Sequence, residues 1–173
     1  MIKTMNTSVR LYSLGYSDVR TYVFAFLFVA GNLVLPQLCH LIPSGGPMLL
    51  PIYFFTLIAA YKYGIHVGIL TAVLSPVLNS LIFGMPPMGV LPAILVKSGL
   101  LAVAAACAAR YFRKVSFLAL VCVVLAYQVA GTAFEWLIDG SFYTAAQDFR
   151  IGIPGMLIQI AGGYGVLKLL AKH

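Results

Sequence analysis

Charge is what this chain has least of. Of 173 residues, 9% are charged and 62% are hydrophobic, and only four are acidic. A domain folded in water carries about a quarter charged residues, so the shortage excludes a soluble globular domain. The same imbalance excludes a disordered chain, which needs low hydrophobicity and high charge. Cysteine is sparse too. Cys39, Cys107 and Cys122 form no CxxC pair, and the expectation for them is small buried hydrophobes. Catalytic signatures are missing: there is no HExxH, no GxSxG and no GxxxxGK[ST]. No acid pair sits within a span as an intramembrane aspartyl protease requires, and no rhomboid-type serine and histidine pair is evident. The chain is therefore expected not to be an enzyme and to need no cofactor. Any ATP-driven role would need a separate subunit. His40 alone makes no metal site, and His66 falls near the opposite face, so no metal is expected either.

What is present is apolar sequence in long runs, with a mean hydropathy of +1.00. The basic balance, 11 Lys and Arg against 4 acids, is spread thinly. No basic stretch is long enough to follow a nucleic-acid backbone, so no nucleic-acid partner is expected. A membrane span takes roughly 20 residues, and the chain is expected to hold about six and no additional soluble domain. The apolar runs predict an all-α, six-transmembrane-helix bundle with spans at about 21–42, 48–62, 65–83, 91–112, 116–138 and 151–170. The second is short and entered through Pro47 and Pro51, so a tilted or partly re-entrant path is expected. Residues 1–20 form a separate cytoplasmic or interfacial segment, in which Arg10, Leu11, Tyr12, Leu14 and Tyr16 make a short amphipathic piece. Ser17 is the expected N-cap of the first span. No small-residue cleavage site follows the first apolar run, so that run is expected to be retained.

The connections alternate in character. Lys62-Tyr63-Gly64, Arg110 to Lys114 and the C-terminal Lys168 and Lys172 are basic. Pro43-Ser44-Gly45-Gly46-Pro47, Gly84 to Gly89 and Asp139 to Arg150 are rich in turn signals or acids. With the N-terminus in the cytoplasm, nine basic residues lie inside: Lys3, Arg10, Arg20, Lys62, Arg110, Arg113, Lys114, Lys168 and Lys172. Arg150 alone lies outside. The positive-inside rule then puts both termini in the cytoplasm of a multi-pass protein of the inner (cytoplasmic) membrane.

Polar residues gather in stripes at helical spacing: Asn32, Pro36 and His40; Thr71, Ser75 and Asn79; Gln128, Thr132, Glu135 and Asp139; and Gln159 alone. Most lie in the outer halves, while Val23–Ala30, Gly99–Ala109 and Phe117–Ala126 are apolar. Unpaired polar groups in hydrocarbon are expensive, so the pattern predicts an outward-facing binding cavity sealed below. Lys97 lies about 9 Å into its span. It reads either as counter-charge to a carboxylate on a ligand, or as the partner of Glu135, or as snorkelling to the interface. Glu135 and Arg150 are site residues or a solvated rim, and Asn79 a ligand contact or a helix–helix hydrogen bond. Trp136, Phe142 and Tyr143 make an interfacial belt or a stacking surface. Small-residue pairs such as Gly64/Gly68 and Ala105/Ala109 allow close helix approach.

The stretch His40-Leu-Ile-Pro-Ser-Gly-Gly-Pro-Met-Leu-Leu-Pro51, then Tyr61-Lys-Tyr-Gly64, Leu74-Ser-Pro-Val-Leu-Asn79 and Phe83-Gly-Met-Pro-Pro87 resembles the substrate-binding S components of energy-coupling factor (ECF) vitamin transporters. The resemblance covers about residues 20–170. It implies a six-helix membrane subunit that captures a small vitamin or precursor from outside. The loop Pro43 to Pro47 would act as a lid. The partners would be a transmembrane coupling protein and two ATPase subunits within an ABC importer, beside the lipid bilayer itself. Asn79, Lys97, Glu135 and the outer loops would form the site, with Asn32, His40, Gln128, Gln159 and Arg150 as further candidates. The chain departs from some relatives in having Pro51-Ile52-Tyr53 where they carry Pro-Met-His, and Lys97 near a position where they carry an acid. Its first span has Ala25 and Ala30 in place of an AxxxA pair. The N-terminal Met-His of the metal-transporting members is missing. Lys97 suits a carboxylate-bearing substrate such as pantothenate, nicotinate or a folate-like compound. The reading from another class is a non-transporting six-span scaffold of the cell-shape (MreD-like) type. A small channel is disfavoured by the apolar inner halves.

Overall fold

The computed structural model describes residues 13–171, all turns and helices. Lys3, Arg10 and Lys172, with the first part of the expected amphipathic piece, lie outside the described residues. Helix α1 spans Val19–Cys39, α4 Ile65–Phe83, α5 Leu91–Phe112, α6 Phe117–Asp139 and α9 Ile153–Leu170. These five helices are long and apolar enough to cross a membrane, and the protein is a multi-pass membrane protein by this measure. The third and fourth expected spans coincide with α4 and α5, and the others shift by one to three residues.

The second expected span does not form as one helix. It becomes α2 (Gly45–Leu49), a 3-10 turn over Pro51–Tyr53, and α3 (Phe54–Tyr63). The break lies at Leu50-Pro51. A residue before proline is pushed out of the right-handed helical region, and Leu50 adopts φ 48°, ψ 45°. Only ten residues continue as α3, about 15 Å of helix. That piece is buried almost throughout, with Leu57, Ile58, Ala59 and Ala60 all at 0% exposure. It forms the centre around which α1, α4, α5 and α9 pack.

The cap of α1 is Asp18 rather than Ser17. The Asp18 carboxylate accepts from Arg20 N at 2.9 Å, satisfying a backbone donor at the helix start. It also takes the Arg20 guanidinium at 2.8 Å, and that hydrogen bonding holds the Asp18 carboxyl below its ordinary value.

The two ends of the bundle differ. At one end, Leu14 N donates to Tyr63 O at 3.3 Å, Tyr61 Oη to Lys114 O at 2.8 Å, and Lys62 Nζ to Leu170 O at 2.9 Å. This end therefore collects the start of α1, the close of α9 and the basic connections. At the other end stand α2 and the loop 84–90. The last of these elements are α7 (Phe142–Ala145) and α8 (Gln147–Arg150), which replace the expected irregular loop from Asp139 to Arg150. Between the ends the apolar core is continuous, with Leu57, Ile58, Leu101, Leu120, Val124 and Leu167 all at 0% exposure.

Close packing depends on Gly68. A Cβ there would lie 2.5 Å from Ala60 Cβ and 3.3 Å from Ala102 Cβ, so α3, α4 and α5 meet through small residues as in other membrane bundles. Gly68→Ile is expected to separate these helices at a cost of about 1–3 kcal/mol. The expected readout is a lower melting temperature in detergent, and an unchanged one would refute this packing.

Candidate functional site

A cavity of about 450 Å³ opens at the end opposite the basic connections, within the size range of small-molecule sites. Its apolar lining comes mainly from Pro36 on α1, Leu50 to Tyr53, Met85 to Pro87, and Val90, Ala93 and Ile94 at the start of α5. Its charged lining comes from Lys97, Glu135, Asp139 and Asp148. The 84–90 loop is tied down by Ser80, whose Oγ donates to Pro86 O at 2.8 Å.

The centre of the charged side is Lys97. Its Nζ lies 2.5 Å from Glu135 Oε2 and 2.9 Å from Asp148 Oδ2. The three side chains are 6%, 15% and 12% exposed. Two of the three readings of Lys97 thereby separate: it is the partner of Glu135, and its ammonium is not left as an unpaired counter-charge. The Lys97 stem crosses α6 at Gly131, where a Cβ would approach Lys97 Cγ to 2.4 Å. Only a residue without a side chain leaves that path clear. Glu135 and Asp139 are four apart on α6, so they share a face. Asp148 arrives from α8, 51 positions along the chain from Lys97.

Asn79 also lines the cavity and is 1% exposed. Its Nδ2 donates to Asn32 O at 2.8 Å and to Ser75 O at 2.9 Å. Both donor hydrogens are used, and its Oδ1 has no hydrogen-bond partner among the described residues.

The remaining expected site residues divide clearly. His40, Gly46 and Pro47 line the cavity. Pro43, Ser44 and Gly45 are not in its wall; Ser44 caps α2, and Gly45 is its first residue, so much of the expected lid loop is helical. Asn32 is buried outside the lining. Its Nδ2 donates to Thr56 Oγ1 at 3.2 Å and Ser75 Oγ at 3.1 Å, and its Oδ1 accepts from Phe55 N at 3.4 Å. This is a helix-to-helix clamp. Gln128 and Gln159 form a second one: Gln128 Nε2 donates to Tyr127 Oη at 3.1 Å, and Tyr127 Oη donates to Gln159 Oε1 at 2.9 Å. Arg150 is exposed, stacked 3.6 Å from the Tyr143 ring centroid, and takes no part in the cavity wall.

Asp148, Asp139, Thr144 and Gln147 are lining residues that the sequence reading did not single out as a site. For Asp148 the available signal was the rarity of acids: three of the four in the chain fall after residue 134. No family model, curated protein or solved structure matches the chain.

Removing one partner of a buried ion pair strands the opposite charge. Lys97→Met leaves Glu135 and Asp148 facing each other and is expected to cost about 3 kcal/mol of stability. Adding Glu135→Gln should recover part of that loss. Chemical denaturation of the three proteins in detergent measures both effects. A single variant as stable as the parent would rule out the pairing as a structural support.

Proposed function

We propose that this protein is a membrane-embedded substrate-binding subunit of an ECF-type ABC importer. It captures a small vitamin or vitamin precursor from outside and hands it to partner subunits for ATP-driven uptake. The observation that carries the reading is a vitamin-sized cavity at one end of the bundle, with an apolar core closing the other end. A site with one mouth binds; a channel needs polar groups along its full depth. The lysines and arginines gathered at the closed end support a cytoplasmic location for that end and both termini. The cavity then faces outward from the inner (cytoplasmic) membrane. In this reading α2 is the lid. It is bounded by two non-glycine residues in left-handed conformation, Ser44 at φ 60° and Leu50 at φ 48°, a strained state of the kind found at ligand clamps. Backbone irregularity at membrane depth is tolerated where it lines a cavity. Transport energy comes from a transmembrane coupling protein and two ATPase subunits.

The test is a thermal-shift panel of vitamins and precursors on the purified protein, with native mass spectrometry for a co-purified ligand. One compound is expected to stabilise the fold, by about 2.7 kcal/mol at a hundredfold excess over Kd. Asn79→Ala should reduce that shift after its own ligand-free melting temperature is subtracted. A panel with no stabiliser and no co-purified molecule would favour the scaffold reading instead.

A further inference from the structure

We infer that the cavity takes a ligand with an apolar body and a positively charged nitrogen, and that it discriminates against carboxylates. The inference rests on the cavity being a small-molecule capture site and names the substrate class of that site.

The first observation is the sign of the charge. The chain is basic, with 11 Lys and Arg against 4 acids. The cavity is the reverse. Glu135, Asp139 and Asp148, three of those four acids, line it, and among the described residues Lys97 is the one Lys or Arg to do so, with His40, counted here as neutral, at the same wall. Lys97 is already shared between Glu135 and Asp148. Formally, three carboxylates against one ammonium leave an excess of two negative charges. Apolar walls screen charge less than water does, and clefts lined by one sign concentrate the field. An incoming carboxylate would meet that field as a repulsion. The attraction of Lys97 for a ligand carboxylate is offset by two acids at contact distance.

The second observation is Asn79. With both Nδ2 hydrogens committed to backbone carbonyls, the amide cannot be turned over without setting Oδ1 against two acceptors. Oδ1 is therefore a fixed acceptor, buried and without a partner among the described residues, on a residue of the cavity wall. An acceptor of this kind is satisfied by an N–H or O–H from the ligand. The acids make the same demand: ionised carboxylates accept and do not donate. Two independent sets of groups thus ask for donors. A protonated nitrogen carries donors and positive charge together. Pro36, Ile52, Tyr53, Pro86 and Ile94 supply the complementary surface for a ring or short hydrocarbon body.

The experiment uses three probes with one ring and three charges: phenethylamine, phenylacetamide and phenylacetate. Binding to the purified protein in lipid nanodiscs is measured by calorimetry and thermal shift. The cation is expected to bind at least tenfold more tightly than the anion, with the neutral amide between them. Asp139→Asn, at the exposed rim, should reduce the cation's advantage severalfold. Phenylacetate binding as tightly as phenethylamine, or more so, overturns the charge preference while leaving the capture reading in place. Stabilisation by none of the three, together with none from the vitamin panel, overturns both.

Discussion

One ammonium between two carboxylates holds the cavity end of this protein together. Lys97 on α5 reaches Glu135 on α6 at 2.5 Å and Asp148 on α8 at 2.9 Å. Each of these groups alone would be a severe cost at membrane depth. Together they join α5, α6 and α8, and they do so in a cavity that is not fully closed to water. The arrangement needs Gly131, because the lysine stem runs where a side chain on α6 would stand. It also determines the chemistry left over. Once Lys97 is shared, the carboxylate oxygens and the Asn79 carbonyl are among the acceptors left on the residues of the site.

Other buried polar groups tie helix to helix in the same bundle, although Gln128 Oε1 and Gln159 Nε2, like Asn79 Oδ1, have no hydrogen-bond partner among the described residues. Asn32 joins α1 to α3 and α4 through Thr56, Ser75 and the Phe55 amide. Tyr127, Gln128 and Gln159 join α6 to α9. Such bonds are each worth about 1 kcal/mol between membrane helices, and they specify which faces meet. Asn79 belongs half to this class. Its nitrogen clamps α4 to α1, and its oxygen is left without a partner on a residue of the cavity wall.

Much of the fold was legible because the bilayer imposes a length. Largely apolar runs between turn signals matched α1, α4, α5, α6 and α9 to within three residues. The second span was the exception, and its cause was visible in Pro47 and Pro51. What could not be read was that Leu50 would accept a left-handed conformation and split the segment into a surface helix and a buried one. The site was legible in part. Helical spacing finds polar stripes but does not say which face of a stripe meets a neighbour and which meets a cavity. Asn32, Gln128 and Gln159 looked the same as Asn79 on that test and went to helix–helix bonds. Asp148 was hidden for a different reason. Its partner lies 51 residues away, and a short helix in a turn-rich connection carries no periodicity to point inward.

The break at Leu50 also bears on how such a cavity can open. A continuous second helix would make the cavity cover part of the packed core, and moving it would disturb α3, whose residues are almost all buried. The left-handed residues at Ser44 and Leu50 bound α2, and Leu50 itself is part of the buried core. Helix α2 rests on the start of α9, where the Leu49 backbone runs against Gly155, while α3 stays fixed by Leu57, Ile58 and the Asn32 clamp. In the lid reading proposed above, lifting α2 would turn the chain at Ser44 and Leu50 and release the contact of Leu49 with Gly155. Asn79, Lys97, Glu135, Asp139 and Asp148 are held by α4, α5, α6 and α8, outside the proposed lid. In the proposed capture reading, recognition and closure would thus be carried by different parts of the chain.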